Sequence, residues 1–328
     1  MTHSPQVSTT DPIEACVRRP GLQTRRSRAA SKDAACVHWW TCVRIGAVVF
    51  VLAAMSAISS GAHGQSLIYS TGQNVAPSFE GWQARPDGTF DLLFGYLNRN
   101  LDEELDIPIG PENNVEPVGP DRGQPTHFLP RRNRYVFRVN VPKDFGAREV
   151  VWTLTAKAKT EKAYGSLKPD YVIDDLLIMK DVGALGARKI ERENKAPTVR
   201  IEGAAQRTAR MGEPLALTAL VSDDGIPSPK PVPLRYPVTA NALGLRVAWF
   251  VYRGAGKVTF EPEQFKVYTD YRSNSPWTPG WAPPPVPPDG QYNVNVTFGT
   301  PGTYVLRVMA HDGGLMSTQD VTVNVSSN

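Results

Sequence analysis

The chain has 328 residues, a length that predicts two domains rather than one. Charged residues make up 21% and apolar residues 41%, and the 29 prolines and 27 glycines predict many short strands joined by turns. The net charge of +4 comes from residues 1–64, which hold seven basic and three acidic side chains and leave 29 of each sign in the remainder. A neutral remainder has no electrostatic attraction for nucleic acid or anionic lipid, which excludes both as partners of the folded part.

The three cysteines, Cys16, Cys36 and Cys42, also lie in this N-terminal part. The rest of the sequence contains none. This excludes a disulfide framework, a thiolate nucleophile and a cysteine metal site from the remaining 264 residues.

An apolar segment at 45–58, IGAVVFVLAAMSAI, follows Arg44 and precedes small residues that end at Gly64. This order is typical of a signal peptide, and we expect cleavage after Gly64. The alternative is an uncleaved membrane anchor through residues 45–62, in which case the β domains stay outside the cytoplasm. Residues 1–44 predict a disordered basic leader or an upstream start assignment.

Residues 65–180 predict one β-sandwich, because apolar and polar side chains alternate along three segments. The expected inward side chains are Phe90, Leu92, Phe94 and Tyr96 on the first segment; Tyr135, Phe137, Val139 and Val141 on the second; and Val150, Trp152, Leu154, Ala156 and Ala158 on the third. Residues 181–195 are charged and lack a core pattern, which predicts a linker with a helical turn at 187–192.

Residues 196–328 show the sandwich pattern again, with about seven strands over roughly 130 residues, as in immunoglobulin-like (Ig-like) domains. The predicted strands are 198–202, 214–222, 245–252, 257–268 as a broken pair, 291–298, 302–310 and 316–326. Trp249 is then a core tryptophan on the third strand. Tyr304 stands where a tyrosine corner would bond back to the preceding connection. The predicted fold class is therefore all-β, with two antiparallel β-sandwich domains in tandem.

Four motifs of this second region resemble PKD-type and related bacterial Ig-like domains. They are APTV at 196–199, VSDDG at 221–225, Trp249 and PGTYVLRVMAHDGGLMSTQDVTVNV at 301–325. The resemblance covers residues 196–328 and departs from the family by long insertions at 226–244 and 269–290. It implies a secreted, non-catalytic module beside other domains, and it implies no ligand. Residues 65–180 resemble no characterised family.

Catalysis has weak support in the sequence. After Gly64 only His127 and His311 remain as histidines, and neither lies in a catalytic motif. A glycan-acting hydrolase with paired carboxylates is the alternative, because two carboxylates on separate strands leave no linear motif. We expect no enzyme activity and no cofactor other than calcium.

A calcium site is one interpretation of three aspartates in loops that an Ig-like sandwich brings to the same end: Asp223, Asp224 and Asp312. The other interpretation is turn formation, since Asp and Gly together make tight turns without a metal. The turn interpretation is the stronger of the two, because no D-x-D-x-D run is present.

Two further groups of side chains are candidates for binding. Arg131, Arg132 and Arg134, with His127, would suit an anion or an acidic glycan, but the balanced charge favours a solvated hairpin loop. The loop SPWTPGWAPPPVPPDG carries Trp277 and Trp281, with Tyr271 nearby. Such aromatic side chains suit sugar rings or a protein partner, and the alternative is that they cover a sheet edge.

Together these features predict an exported, non-catalytic binding or structural protein of the cell envelope or extracellular space. We expect it to be secreted or periplasmic and to recognise a protein or a polysaccharide. A membrane-anchored envelope component is the second alternative, beside the hydrolase.

Overall fold

The computed structural model describes residues 69–117, 119–180, 192–230, 243–264 and 285–327. These residues include sixteen strands, a 3-10 turn at Pro169–Tyr171 and a short helix, α1 (Asp175–Lys180), and residues 192 and 193 are also helical. The first half contains β1 (Val75–Ala84), β2 (Phe90–Asn98), β3 (Leu105–Asp106), β4 (Asn113–Glu116), β5 (His127–Phe128), β6 (Arg131–Val141), β7 (Val150–Ala156) and β8 (Lys159–Gly165). The second contains β9 (Thr198–Ile201), β10 (Gln206–Arg210), β11 (Pro214–Ser222), β12 (Arg246–Arg253), β13 (Val258–Glu261), β14 (Gln291–Phe298), β15 (Gly302–His311) and β16 (Met316–Ser326). The all-β prediction is confirmed.

The first sandwich packs a sheet of order β1-β2-β6 against a sheet of order β4-β7-β8, with β3 and β5 as a separate pair. Its core is aromatic and centres on Trp152, which is fully buried. The Trp152 ring lies edge-on to Phe137 at 4.8 Å and to Phe94 at 6.2 Å between centroids. Such contacts add about 0.5–1.5 kcal/mol each beyond the area they bury.

Two details of the predicted strands are wrong, and both have a local cause. β6 bulges opposite Phe94 and Tyr96. Tyr135 there has a φ of 53° and is only half-buried, while Val136 takes the core position. Ala158 is not an inward strand residue, because Lys157 and Ala158 both have positive φ and form the turn between β7 and β8. Neither residue type favours such a turn, so no local pattern predicts it.

Long connections in the first sandwich are held by buried amide side chains instead of by strands. Asn98 donates to the carbonyls of Glu103 and Phe128 at 2.8 and 3.1 Å. Asn113 does the same for Ile107 and Pro125, at 2.9 and 2.8 Å, and accepts from the Trp152 indole. Each amide satisfies carbonyls that would otherwise be buried without a donor, which costs about 1–3 kcal/mol per group.

The second sandwich has sheets of order β13-β14-β11-β9 and β10-β16-β15-β12. One sheet has four strands. The other contains β12, β15 and β16, which are the third, sixth and seventh predicted strands, and this is the Ig-like arrangement. Trp249 is fully buried, and the Tyr304 hydroxyl lies 3.0 Å from the Thr300 carbonyl and 2.9 Å from that of Ala255. The core tryptophan and the tyrosine corner are therefore confirmed.

Strand β10 was not predicted. It runs parallel to β16, from Gln206 opposite Thr322 to Arg210 opposite Ser326. All other strand pairs are antiparallel within the described residues. The segment QRTAR is polar, and its side chains are exposed or half-buried, so it lacks the apolar alternation that reveals a strand.

The two sandwiches share one apolar cluster. Side chains from the outer face of β12 and β15 are buried against the first sandwich core: Ala248, Phe250, Tyr252 and Met309. Opposite side chains on the same strands fill the second core, so β12 is buried on both faces. The run LRVAWFVY already contains this information, because a strand buried on both sides reads as continuously apolar.

Arg307 fixes the polar side of this junction. Its guanidinium makes two hydrogen bonds to the Asp320 carboxylate at 2.7 and 2.9 Å, and Nη1 donates to the Val136 carbonyl of the first sandwich at 2.6 Å. The same group lies over the Tyr252 ring, with Cζ 3.4 Å from the centroid. One side chain thus makes an ion pair, a cation–π contact and a bond across the junction.

Further polar contacts cross the junction beside it. Arg253 pairs with Asp121 through two bonds of 2.8 and 3.0 Å, and its Nε donates to the Gln124 carbonyl at 2.9 Å. The hydrogen bonds from Arg253 lower the pKa of Asp121. The Thr126 N–H donates to the Tyr252 carbonyl at 3.2 Å, which continues the edge of β12 with backbone from the first sandwich.

Replacing Arg307 with Lys should therefore destabilise the whole chain. Lysine keeps the charge but loses the paired bonds to Asp320 and the stacking on Tyr252, so we expect a loss of about 1–3 kcal/mol in the free energy of unfolding by urea. The control is Arg210→Lys, since Arg210 is 69% exposed and 3.9 Å from Glu213. Equal effects of the two substitutions would contradict a central role for Arg307.

Candidate functional site

The predicted aromatic binding residues cannot be placed, because Tyr271, Trp277 and Trp281 lie outside the described residues. Their role stays a prediction. The last described residue before this loop is Gln264. It is buried, with an exposure of 2%.

Asp312 acts as a turn residue. It is fully buried, and its Oδ1 accepts hydrogen bonds from the backbone N–H groups of Gly314 and Leu315 at 2.5 and 2.7 Å. Its Oδ2 accepts from the Asn194 amide at 3.1 Å. The carboxylate thus closes the β15–β16 turn from inside, as an aspartate can when its side chain bonds to its own loop.

Asp223 and Asp224 also bond to their own loop. Asp223 Oδ2 accepts from the Gly225 N–H at 2.9 Å, and Asp224 accepts from Ile226 and Lys195 at 2.8 and 3.0 Å. Burial raises the pKa of Asp312, and the nearby charge of Asp223 adds to this. No group of three or more His, Cys, Asp or Glu side chains in the described ranges is arranged to hold a metal. The hydrogen bonds favour the turn interpretation, and calcium binding stays a prediction.

His127 is a buried cation between two carboxylates. Its side chain is 8% exposed; Nδ1 lies 2.7 Å from Asp106 and Nε2 lies 3.1 Å from Glu104. Burial opposes the charged imidazole, but the hydrogen bonds to Asp106 and Glu104 outweigh it and raise the pKa of His127 to about 9. Arg132 likewise bonds to Glu80 at 2.8 Å. Carboxylates of the protein therefore take up two of the charges considered for an anion site.

His311 is in the opposite state. Its Nδ1 accepts from the Gly313 N–H at 2.7 Å and lies 3.3 Å from Arg246 Nη2. Burial, with the Arg246 charge beside it, lowers the pKa of His311 to about 3. A general base works best with a pKa near the working pH. At neutral pH His127 is protonated and His311 is neutral but weakly basic, so neither is tuned for that task.

A cleft of about 450 Å³ opens where the two sandwiches meet, beside His127. Its walls come from β5 on one side and from β12 and β13 on the other; these two strands are edges of different sheets. Apolar side chains form much of the lining: Leu129, Phe250, Val251, Val258 and Phe260. Polar groups converge on it from Glu104, His127, Lys257, Glu263 and Gln264. An apolar pocket of this size with a few polar groups is the usual form of a small-ligand site.

Gln264 shapes the base of this cleft. Its Oε1 accepts from the Trp249 N–H on the edge of β12 at 3.0 Å and from the Tyr292 hydroxyl at 3.2 Å. The Gln264 side chain thus supplies the hydrogen-bond acceptor that a neighbouring strand would provide at this edge. Sequence reasoning missed Gln264 and Glu104, because neither lies in a motif and the cleft is formed by segments far apart in the chain.

One of the two described carboxylates that line the cleft is engaged within the protein, which weighs against glycoside hydrolysis there. Glu104 and Glu263 both line it. In a paired-carboxylate mechanism both carboxyl groups act directly on the sugar or on its attacking water. Glu104 is instead bonded to His127, which leaves Glu263 as the uncommitted carboxylate of the two.

No protein-family model matches the chain, and no curated protein matches it. Similar solved structures include the N-terminal eight Ig domains of Down Syndrome Cell Adhesion Molecule, at 10% identity and a TM-score of 0.21, covering 77% of this chain and 27% of that one. The adhesin InvE of Yersinia pseudotuberculosis is 12% identical, with a TM-score of 0.22 and coverage of 80% and 61%. Fibronectin(III)-like modules of Clostridium thermocellum CbhA are 11% identical, with a TM-score of 0.22 and coverage of 80% and 93%. These likenesses concern β-sandwich architecture, which the strand order above establishes independently.

The environment of His127 predicts alkaline destabilisation. Its pKa in the folded state, about 9, exceeds the ordinary 6.5, so its contribution is complete below pH 6.5 and disappears as the pH rises through 9. The free energy of unfolding should fall over this range by up to about 3 kcal/mol through His127. His127→Gln should remove that part of the slope. His311→Gln is the control, because His311 titrates in acid; equal alkaline slopes in all three proteins would refute the assignment.

Asp312 provides the test between turn and calcium. Asp312→Ala leaves two buried N–H groups without an acceptor and should cost about 1–3 kcal/mol. Asp312→Asn keeps the Oδ1 acceptor and removes a carboxylate whose pKa is already raised by burial, so it should cost less. The turn interpretation predicts the same Tm in calcium and in EDTA. A rise in Tm with calcium that Asp312→Asn abolishes would establish the metal site instead.

Proposed function

We propose that this protein is an exported, non-catalytic binding or structural component of the cell envelope or extracellular space, which recognises a protein or a polysaccharide. The fixed junction between the two sandwiches carries this proposal. Buried apolar contacts and the Arg307 and Arg253 bonds hold the halves together, and the cleft exists only in that arrangement. A preorganised surface of this kind has a smaller ordering cost on binding than a flexible one.

The proposed location rests on the sequence. The apolar segment 45–58 and the small residues before Gln65 suit export, and the region after Gly64 is free of cysteine. No described helix combines the length and apolar character that a membrane span requires. Sequencing the N-terminus of the protein recovered outside the cytoplasm decides between the two modes of export. A start at Gln65 identifies a cleaved signal, and a retained Arg44 identifies an anchor.

The cleft is the proposed recognition site, and its polar rim is the part to change. Lys257 and Glu263 line it, and both act on a ligand rather than on the fold, because charged surface residues contribute little to stability. Replacing both with Ala should weaken binding of glycans or envelope proteins about tenfold, the value of roughly 1.4 kcal/mol in binding free energy. Binding is measured on glycan arrays and with immobilised envelope fractions.

The matched control is the pair Lys143→Ala and Glu149→Ala, which removes the same two charges from exposed positions between β6 and β7. The pair Trp277→Ala and Trp281→Ala tests the neighbouring loop in the same assay. If the unchanged protein binds neither the arrayed glycans nor the envelope fractions, the binding proposal fails. If only the tryptophan variant loses binding, the loop and not the cleft is the recognition site.

A further inference from the structure

The outer face of the β13-β14-β11-β9 sheet has an unusual composition. Its two central strands, β11 and β14, present only uncharged side chains outward: Pro214, Ala216, Thr218, Leu220, Ser222, Gln291, Asn293, Asn295 and Thr297. These positions are exposed or half-exposed. A solvated face of an antiparallel sheet is polar, and protein surfaces ordinarily carry about 25–35% charged residues. Two adjacent strands without an outward charge therefore need an explanation.

Charged side chains occur only at the sides of this face, among the described residues of the sheet. Arg200 lies on β9 and Glu261 on β13, the two edge strands, and Glu202 follows the end of β9. Thr198 and Thr259 occupy the other outward positions of these short strands. The result is an uncharged strip two strands wide, with charges along its margins. Hydroxyl and amide side chains make up the outward positions of β14 and two of those of β11, and Pro214, Ala216 and Leu220 are its apolar positions. We call these outward positions of β11 and β14 the neutral face.

Hydrogen bonds between strands hold the neutral face in place. Thr218 Oγ1 donates to Asn293 Oδ1 at 2.7 Å, across the pair that these residues form in the β11–β14 register. Thr198 and Ser222 make a similar hydroxyl contact at 2.7 Å between β9 and β11. Such pairs order side chains that would otherwise rotate freely. This bond leaves the Asn293 amide hydrogens as donors and the Thr218 oxygen lone pairs as acceptors.

The chemistry of the neutral face selects its partner. A charged ligand finds no complementary charge on β11 or β14. A protein interface would need aromatic, Met or Arg anchors at its centre, and these two strands present none outward. Hydroxyl and amide groups lose their water at a lower cost than charged groups and offer both donors and acceptors. We propose that the neutral face binds an uncharged polysaccharide, whose hydroxyl groups pair with the Thr, Asn and Ser side chains in repeated rows.

The geometry of the sheet suits a chain with repeated hydroxyl groups. Outward side chains recur about every 6.8 Å along a strand, and neighbouring strands lie about 4.8 Å apart. On the opposite sheet, the first sandwich covers Ala248, Phe250, Tyr252 and Met309 on the outer face of β12 and β15. The neutral face has no such cover on the central strands β11 and β14, whose outward positions are exposed or half-exposed.

Affinity electrophoresis of the purified exported protein tests this proposal. The gels contain dextran, laminarin or galactomannan as neutral probes, or alginate as a charged one. We expect at least one neutral probe to retard the protein and alginate not to do so. Thr218→Val with Asn293→Ala should raise the dissociation constant about tenfold by removing the paired hydrogen-bonding groups. Asn295→Lys, which adds a charge at an exposed position, should do the same.

The chain offers a matched control for this pair. Thr303 Oγ1 donates to Asn324 Oδ1 at 2.9 Å between β15 and β16, and both residues are exposed. Thr303→Val with Asn324→Ala removes the same chemistry from the other sheet and should leave retardation unchanged. Unfolding midpoints of all variants must match, so that lost binding is not lost folding.

Three results would overturn the proposal: no retardation by any of the three neutral probes, equal retardation of the Thr218/Asn293 variant and the unchanged protein, or equal retardation by alginate. Loss of binding to an envelope protein, but not to a glycan, in the neutral-face variants would also overturn it by identifying a protein-docking surface. The Lys257/Glu263 variant should keep its polysaccharide retardation. Failure of the cleft and failure of the neutral face are thereby distinguished.

Discussion

A charged group can remain inside a junction only if every one of its polar atoms is satisfied, and Arg307 shows how this chain meets the requirement. Asp320 on the next strand neutralises the guanidinium, and the Tyr252 ring covers its flat side. The Val136 carbonyl of the other sandwich accepts a hydrogen bond from Nη1. Removing any of these partners would leave an expensive unpaired group. The relative position of the two sandwiches is therefore specified by hydrogen-bond geometry as well as by apolar packing. The shape of the cleft depends on that position, because both sandwiches line it.

The two sandwiches solve the problem of their connections differently. The second is built from long strands whose turns are closed locally, as at Asp312. The first has only short strands between residues 99 and 130 and depends on amide side chains that are completely buried. Asn133 Nδ2, for instance, lies 3.1–3.2 Å from three successive carbonyl oxygens, from Leu129 to Arg131, which share its two hydrogens. Such networks specify one loop conformation, because a partly satisfied buried amide is worse than none. They place His127 and Leu129 at the cleft.

Most strands of the second sandwich could be predicted from its sequence, because most of its long strands bury one face and so alternate. The failures arise where another constraint acts. β10 is polar and pairs only along one side. The Lys157–Ala158 turn uses residues that give no turn signal. A prediction from alternation alone misses the junction, because it assigns Phe250 and Met309 to outward faces. The continuously apolar run at 247–252 is the signal that β12 is buried on both faces. The cleft combines residues from 104 to 264, and no local pattern records such a long-range contact.

The shared apolar cluster has a practical consequence for how this protein can be studied. Division of the chain between residues 180 and 196 would leave Ala248, Phe250, Tyr252 and Met309 in water on one half and an open aromatic core on the other. Truncated halves would then associate through these surfaces, since exposed apolar patches of this kind attract one another. Measurements on such halves would then describe the newly exposed apolar surface rather than the native surface of the protein. Dissection by point substitution in the intact chain avoids this artefact.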